Sequence, residues 1–334
     1  MKPETRGINE GSANKNRPVF QIILSLLKNK WIRIVLLVAA IIFTAIYLAS
    51  QLDNLQMLIK GKTISIPLLL LSTLFILVAV IVGILTWYLI LSGFGYELSW
   101  VRSARIQLFS VLAKYVPGIV WQFSGKAYLT HEAGVPVAIA VSAMAMEVVA
   151  SIVSGAGIAL LLSARLGLTE ISLASSVIKL MQFIGLVLIV LVFLAPFYLK
   201  RMVKNQFKKH QKKSHPYFWS FAVATMFIGW GLLAFAFYFS AKAFDFTKID
   251  LITALFTICG SYVSGILAIF IPNGLLVREV VMMTLLPESV SPAAGLLLSL
   301  VARLQVVTCE LLASGAFLPG IVRAGRRLKI TNEK

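Results

Sequence analysis

Residues 106–130, IQLFSVLAKYVPGIVWQFSGKAYLT, decide how the rest of the chain is arranged. The segment opens as an apolar helix, yet its first leg, Ile106 to Val120, has 15 residues, only about 22 Å of helix. A hydrocarbon core of about 30 Å needs about 20 helical residues. Lys114 stands inside this leg, and Pro117-Gly118 breaks it by removing a backbone donor and admitting non-helical conformations. A second stretch, 251–288, LITALFTICGSYVSGILAIFIPNGLLVREVVMMTLLPE, is built alike. Its first leg runs from Leu251 to Ile271, Pro272-Asn273-Gly274 interrupts it, and a shorter leg continues to Leu286.

Around these broken regions lie six unbroken apolar runs, at approximately 34–52, 66–91, 137–162, 177–199, 218–241 and 292–319. Each is long enough to span a bilayer. Over all 334 residues, 59% are apolar and 13% charged, against roughly 45–50% and roughly 25% in a soluble domain. A disordered chain is excluded, and a soluble enzyme does not fit. The net charge of +18 would by itself suggest a nucleic-acid partner. Its distribution argues against one. Residues 1–33, 200–216 and 323–334 carry 19 of the 31 bases and three acids, so +16 of the charge sits in three polar blocks. Blocks of that kind at the ends of apolar runs orient a multispanning protein, with basic loops in the cytoplasm.

If all three blocks share one side, each broken region must cross the membrane an even number of times. Short legs interrupted by Pro and Gly favour re-entrant helical hairpins, which are tolerable only where protein or a water-filled cavity surrounds them. The expected fold is therefore an all-α integral membrane protein of about six full spans and two re-entrant hairpins. Residues 1–33 form a basic cytoplasmic segment, 34–322 the transmembrane domain and 323–334 a basic cytoplasmic tail. Within the domain, 66–162 reads as a span, a hairpin from inside and a span. After a linker span at 177–199, residues 218–319 read as a span, a hairpin from outside and a span. That is an inverted-topology repeat, common among secondary transporters. Local matches agree with it: Tyr115-Val116-Pro117-Gly118-Ile119-Val120 parallels Tyr262-Val263-Ser264-Gly265-Ile266-Leu267. Pro136 and Pro292 each open a long span, and each is followed eleven residues later by a charge, Glu147 or Arg303.

Charges at membrane depth are costly, about 2.5–3.5 kcal/mol on insertion scales, so they face a cavity or a partner. Lys114, Lys126, Arg278 and Arg303 are the candidate ligands of an anionic head group. Glu147, Glu279 and Glu310 are the candidate counter-charges or proton sites. Glu147 and Arg303 are expected to face one another across the pseudo-twofold. A purely structural role would instead pair Glu147 with Arg303, and Arg278 with Glu279 or Glu310. Tyr115, Pro117, Gly118, Gly265, Pro272 and Gly274 mark the hairpin breaks and hinges, and Gly125 adds a small residue for close helix approach. Trp121 and Gln122 follow the first break, as cavity residues or, for the tryptophan, as an interfacial anchor. Cys259 and Cys309 lie in apolar runs, and His131, His210 and His215 lack metal-ligand spacing. Neither a Walker loop nor a nucleophile motif appears in the chain, so no enzyme, metal or cofactor is expected.

Two segments carry a family resemblance. Lys114-Tyr115-Val116-Pro117-Gly118-Ile119-Val120-Trp121, followed by Gly125-Lys126, Gly134-Val135 and Glu147, resembles the membrane domain of the lysylphosphatidylglycerol synthase family. Ile271-Pro272-Asn273-Gly274-Leu275-Leu276-Val277-Arg278-Glu279 is similar to that family's second motif, with Leu276 where a second glycine is usual. The resemblance covers roughly residues 30–325. It implies a flippase-like fold that moves a phospholipid, polyprenyl-linked glycan or glycolipid between leaflets, without the soluble domain that makes the aminoacylated lipid. The expected location is the inner membrane, and the expected partners are membrane lipids, with an anionic lipid surface meeting loop 200–216. Alternatives are an accessory subunit for a glycosyltransferase or lipid synthase, and a small-solute or ion-coupled transporter.

Overall fold

The computed structural model describes residues 64–113, 120–168, 173–206, 217–268, 271, 274 and 276–331. The run at 34–52 and most of loop 200–216 lie outside them. Among the described residues all regular structure is helical. There are nine α-helices: α1 (Ile66–Gly93), α2 (Trp100–Ala113), α3 (Val120–Glu132), α4 (Val137–Leu161), α5 (Ser175–Gln206), α6 (Tyr217–Ala243), α7 (Leu251–Leu267), α8 (Val277–Leu285) and α9 (Pro292–Thr331). A short 3₁₀ turn, Ser163–Leu168, follows α4. Proline sets several starts, in the first turn of α1, just before α4 and at the head of α9, where a missing N–H costs nothing.

The five long helices α1, α4, α5, α6 and α9 match the expected spans in place and contain stretches long and apolar enough to cross a bilayer. Their surroundings confirm that environment. In the apolar stretch of α5 only 11% of the residues are buried by protein, and in that of α1 only 17%. Leu180, Phe183, Leu186 and Leu191 on α5 and Leu70 and Leu74 on α1 point outward. Helices this apolar with so little protein around them have lipid as their solvent. The protein is a polytopic membrane protein.

Helices α1 and α6 form the spine and run antiparallel. Ser65 N–H donates to the Ala243 carbonyl at one end (3.0 Å), and the Trp219 indole donates to the Ile90 carbonyl at the other (3.1 Å). Each end has its own apolar cluster. At the Trp219 end, Trp87, Leu91, Phe94, Leu98, Val135 and Ile139 gather, so the α2–α3 pair leaves and returns there. At the Ala243 end, Phe244, Ile249, Ala254, Leu286 and Leu296 gather, so the α7–α8 pair leaves and returns there. The two short helix pairs thus enter the bundle from opposite ends. Helix α4 packs on α7 as α9 packs on α2, and the other extensive contacts among these eight helices keep a counterpart when α1, α2, α3 and α4 are exchanged for α6, α7, α8 and α9.

Close approach and polar links hold the helices in lipid, where apolar burial alone gives little drive. Gly157 on α4 meets Gly185 on α5, and a Cβ on Gly185 would stand 2.5 Å from the Leu161 nitrogen. Ser72, Ser240 and Gln305 join α1, α6 and α9: both hydroxyls donate to Gln305 Oε1, at 3.2 and 2.8 Å, while Gln305 Nε2 donates to the Leu69 carbonyl. At the Ala243 end Asp250 caps α7, its Oδ1 accepting from Thr253 N–H at 2.7 Å, and pairs with Arg165 of the 3₁₀ turn at 2.9 Å. Partial burial works against the Asp250 carboxylate, but the Thr253 hydrogen bonds and Arg165 outweigh it and hold its pKa below the ordinary value.

Candidate functional site

Where the inner portions of both short helix pairs meet α4 and α9, the bundle forms a partly open cavity of about 610 Å³. Its described lining includes every charged candidate that the structure describes: Lys126 on α3, Glu147 on α4, Arg278 and Glu279 on α8, and Arg303 and Glu310 on α9. Among the described residues three bases and three acids face one space. Gln122 also lines it, as do Gly265 and Gly274. Lys114, Tyr115, Pro117, Gly118 and Pro272 lie outside the described residues, as does the side chain of Trp121.

Two ion pairs organise the cavity wall. Lys126 Nζ reaches Glu147 Oε2 at 2.5 Å and Gln107 Oε1 at 2.6 Å, while Gln107 Nε2 donates to Glu147 Oε1 at 3.0 Å. The three side chains close a triangle across α2, α3 and α4. The Trp87 ring lies 3.7 Å from the ammonium, completing a cage around a lysine that is 4% exposed. The second pair joins Arg303 Nη1 on α9 to Glu279 Oε1 on α8. Each pair therefore links a short helix to the long helix that follows it, with the signs reversed. The first has its base on the short helix, the second its acid.

These partners differ from the pairings that a purely structural role would have made. Glu147 and Arg303 do line one cavity, but neither pairs with the other, and Arg278 pairs with neither glutamate. Gln107 and Trp87 are not among the residues that the sequence singled out. A glutamine in an otherwise apolar segment was the available signal. A lone amide at such a place needs partners.

Arg278 is held differently from the other bases. Its guanidinium lies over the Tyr262 ring, 4.2 Å from the centroid, and the buried Nε has no hydrogen-bond partner among the described residues. Gly265 makes the seat, since a Cβ there would stand 2.4 Å from both Arg278 Cγ and Nε. Gly274, at φ 60°, packs on Gly265 so closely that a Cβ would stand 2.5 Å from its Cα. The glycines marked as breaks in the sequence thus admit an arginine and a tight return of the chain. Leu276, where a glycine was expected, also has positive φ, at 73°. Next to Arg278, Glu279 is 7% exposed, and its Oε2 has no hydrogen-bond partner among the described residues.

The described residues contain no cluster of three or more histidine, cysteine or acidic side chains placed to hold a metal. A comparison with protein families matches residues 30–312 to the model described as the lysylphosphatidylglycerol synthase TM region. No curated protein matches the chain, and no solved structure does.

Proposed function

This chain belongs to the lysylphosphatidylglycerol synthase TM-region family, and on that premise we propose that it is a flippase-like lipid transporter of the inner membrane. The observation that carries the reading is the cavity at the meeting of two opposed helix pairs, walled by Lys126–Glu147 and Arg303–Glu279. Ionised groups at membrane depth are costly unless they serve a pathway or a partner. The exchange of contacts between the halves supports an inverted repeat, and the short α2–α3 and α7–α8 pairs read as re-entrant hairpins. Head groups would enter the cavity while acyl chains stay in lipid, and relative rocking of the halves would expose it to each leaflet in turn.

Lys126 serves as an anchor of the first hairpin, because its ammonium is already enclosed. Arg278 and Arg303 face the substrate, with Glu147, Glu279 and Glu310 as counter-charges. The termini lie in the cytoplasm, and the basic loop 200–216 attracts anionic lipid there. Reconstitution with head-group-labelled lipids tests transport. Wild-type protein should scramble label above the empty-liposome rate, and Arg303→Ala should lose most of that excess while eluting as an intact protein. Wild type and variant both moving label at the empty-liposome rate would sink the proposal.

A further inference from the structure

We infer that the seam between α4 and α7 is the closed gate of the cavity at the Ala243 end, and that Arg165 and Asp250 are its latch. The inference goes beyond the proposed transport and takes from it only the rocking of two halves. Helix α4 and the 3₁₀ turn after it belong to the first half, and α7 belongs to the second. The two helices run antiparallel, since Gly155 meets Val263 while the later Arg165 meets the earlier Asp250. Outward from the cavity, the contacts along this seam come in two layers. Ser151, Ile152 and Tyr262 still line the cavity. Just beyond them the buried Trp230 of α6 wedges in. Its indole donates to Ser154 Oγ at 3.0 Å, and its ring meets Tyr262 edge-on at 6.1 Å. A Cβ on Gly155 would stand 2.7 Å from Trp230 and 2.8 Å from Val263, so glycine lets the three helices shut on one another. At the mouth, Arg165 Nη1 on one side donates to Asp250 Oδ2 on the other at 2.9 Å.

The outer layer differs in kind from the inner one. The side chains of Arg165 and Asp250 are 27% and 52% exposed, and an ion pair so placed contributes little to folding. Between two arrangements of the same packed helices, however, a small term is enough to move the populations several-fold. The pair also sits where it has leverage. It joins the turn that ends α4 to the residue that caps α7, so the halves cannot part at this end without breaking it. The Lys126–Glu147 and Arg303–Glu279 pairs lack that position, because each lies within one half. A latch of these signs is not copied at the other end. Helix α2, the counterpart of α7, has no acid in its first turn and carries Arg102 there instead.

The test reads conformation and is independent of transport. Full-length protein in lipid nanodiscs carries nitroxide labels on cysteines at Ala164 and Glu288, both exposed, one on each half at the Ala243 end. Pulsed electron–electron resonance then gives the distribution of distances across the seam. Arg165→Gln should raise the longer-distance population roughly two- to fivefold, the range expected of one exposed ion pair. Asp250→Asn keeps an oxygen to cap α7 and loses only the charge, so it should act alike if the arginine variant does not fold. The double variant should go no further than either single one, because both remove the same contact. High salt should shift the unsubstituted pair in the same direction and leave Arg165→Gln unmoved. Unchanged distances in both single variants overturn the latch, as do single effects that add in the double variant. Lower thermal stability with unchanged distances would reduce the pair to an anchor of the turn and overturn it too. Distances that respond while no labelled lipid moves defeat the transport reading alone. Lipid that moves while the distances ignore the pair defeats the latch alone.

Discussion

At the scale of single residues, the cavity depends on places where a side chain is absent or strained. Gly265 and Gly274 touch because neither carries a Cβ, and Arg278 occupies the space so released. Leu276, between them and the arginine, lacks that freedom and holds φ at 73° as it leads into α8. Backbone in such regions costs about 1–3 kcal/mol in non-glycine residues, whereas glycine's extra unfolded-state entropy costs roughly 0.5–1. Leu276→Gly should therefore stabilise the protein by about 1 kcal/mol, read as a higher midpoint of thermal unfolding in detergent. A lower midpoint would show that the leucine's packing outweighs its strain. The motif around Arg278 was legible in the sequence, because proline, glycine and charge in an apolar run have few bland readings. The caging of Lys126 was not. Nothing in residues 120–132 records that Gln107, Trp87 and Glu147 would converge on its ammonium.

At the scale of elements, helix ends carry their own signals, and α7 shows how local they are. Asp250 caps it through Thr253 and binds the 3₁₀ turn through Arg165, so one carboxylate orders the start of a short helix and its neighbour. Removing an aspartate cap typically costs about 1 kcal/mol. Asp250→Ala should lower stability by about that amount at pH 7. Because the folded carboxyl titrates below its ordinary value, its contribution is present above the unfolded pKa and lost as pH falls through the folded one. The gap between wild type and variant should close below about pH 4. Unfolding curves at neutral and acid pH check it, and a gap unchanged with pH would refute the carboxylate's role. Element lengths were largely legible. The expected spans and α1, α4 and α6 agree within a few residues, whereas α5 and α9 run past their apolar stretches, to Gln206 and Thr331. A helix ends where its hydrogen bonds end, and basic residues beyond the hydrocarbon do not oblige it to stop. Region 106–130 differs at its start: α2 begins at Trp100, six residues before the apolar leg suggested.

At the scale of the whole molecule, the two ends of the bundle are set by different clusters, Trp219 with Phe94 and Val135 at one and Ala243 with Ile249 and Leu286 at the other. The proposed orientation puts the first end in the cytoplasm. Glu97, exposed at the Trp219 end, and Lys248, exposed at the Ala243 end, then stand on opposite sides of the membrane. Cys259 and Cys309 are buried, so native thiols should add little background. In intact cells Lys248→Cys should react with an impermeant maleimide, and Glu97→Cys only after permeabilisation. The reverse pattern would invert the topology, and labelling of both without permeabilisation would break it.

By itself the sequence determined the solvent of this protein, the number and place of its long described helices, and the two regions that proline and glycine break. Those properties are local: about 20 apolar residues satisfy every backbone group within one helix, and a Pro-Gly break is a defect wherever it falls. Only the tertiary structure decided which charge meets which. Lys126 chose Glu147, and Arg303 chose Glu279, because the short helices fold back beside the long helices that follow them. Ion-pair choice depends on a few ångströms of approach between segments, and spacing along a chain does not encode that distance.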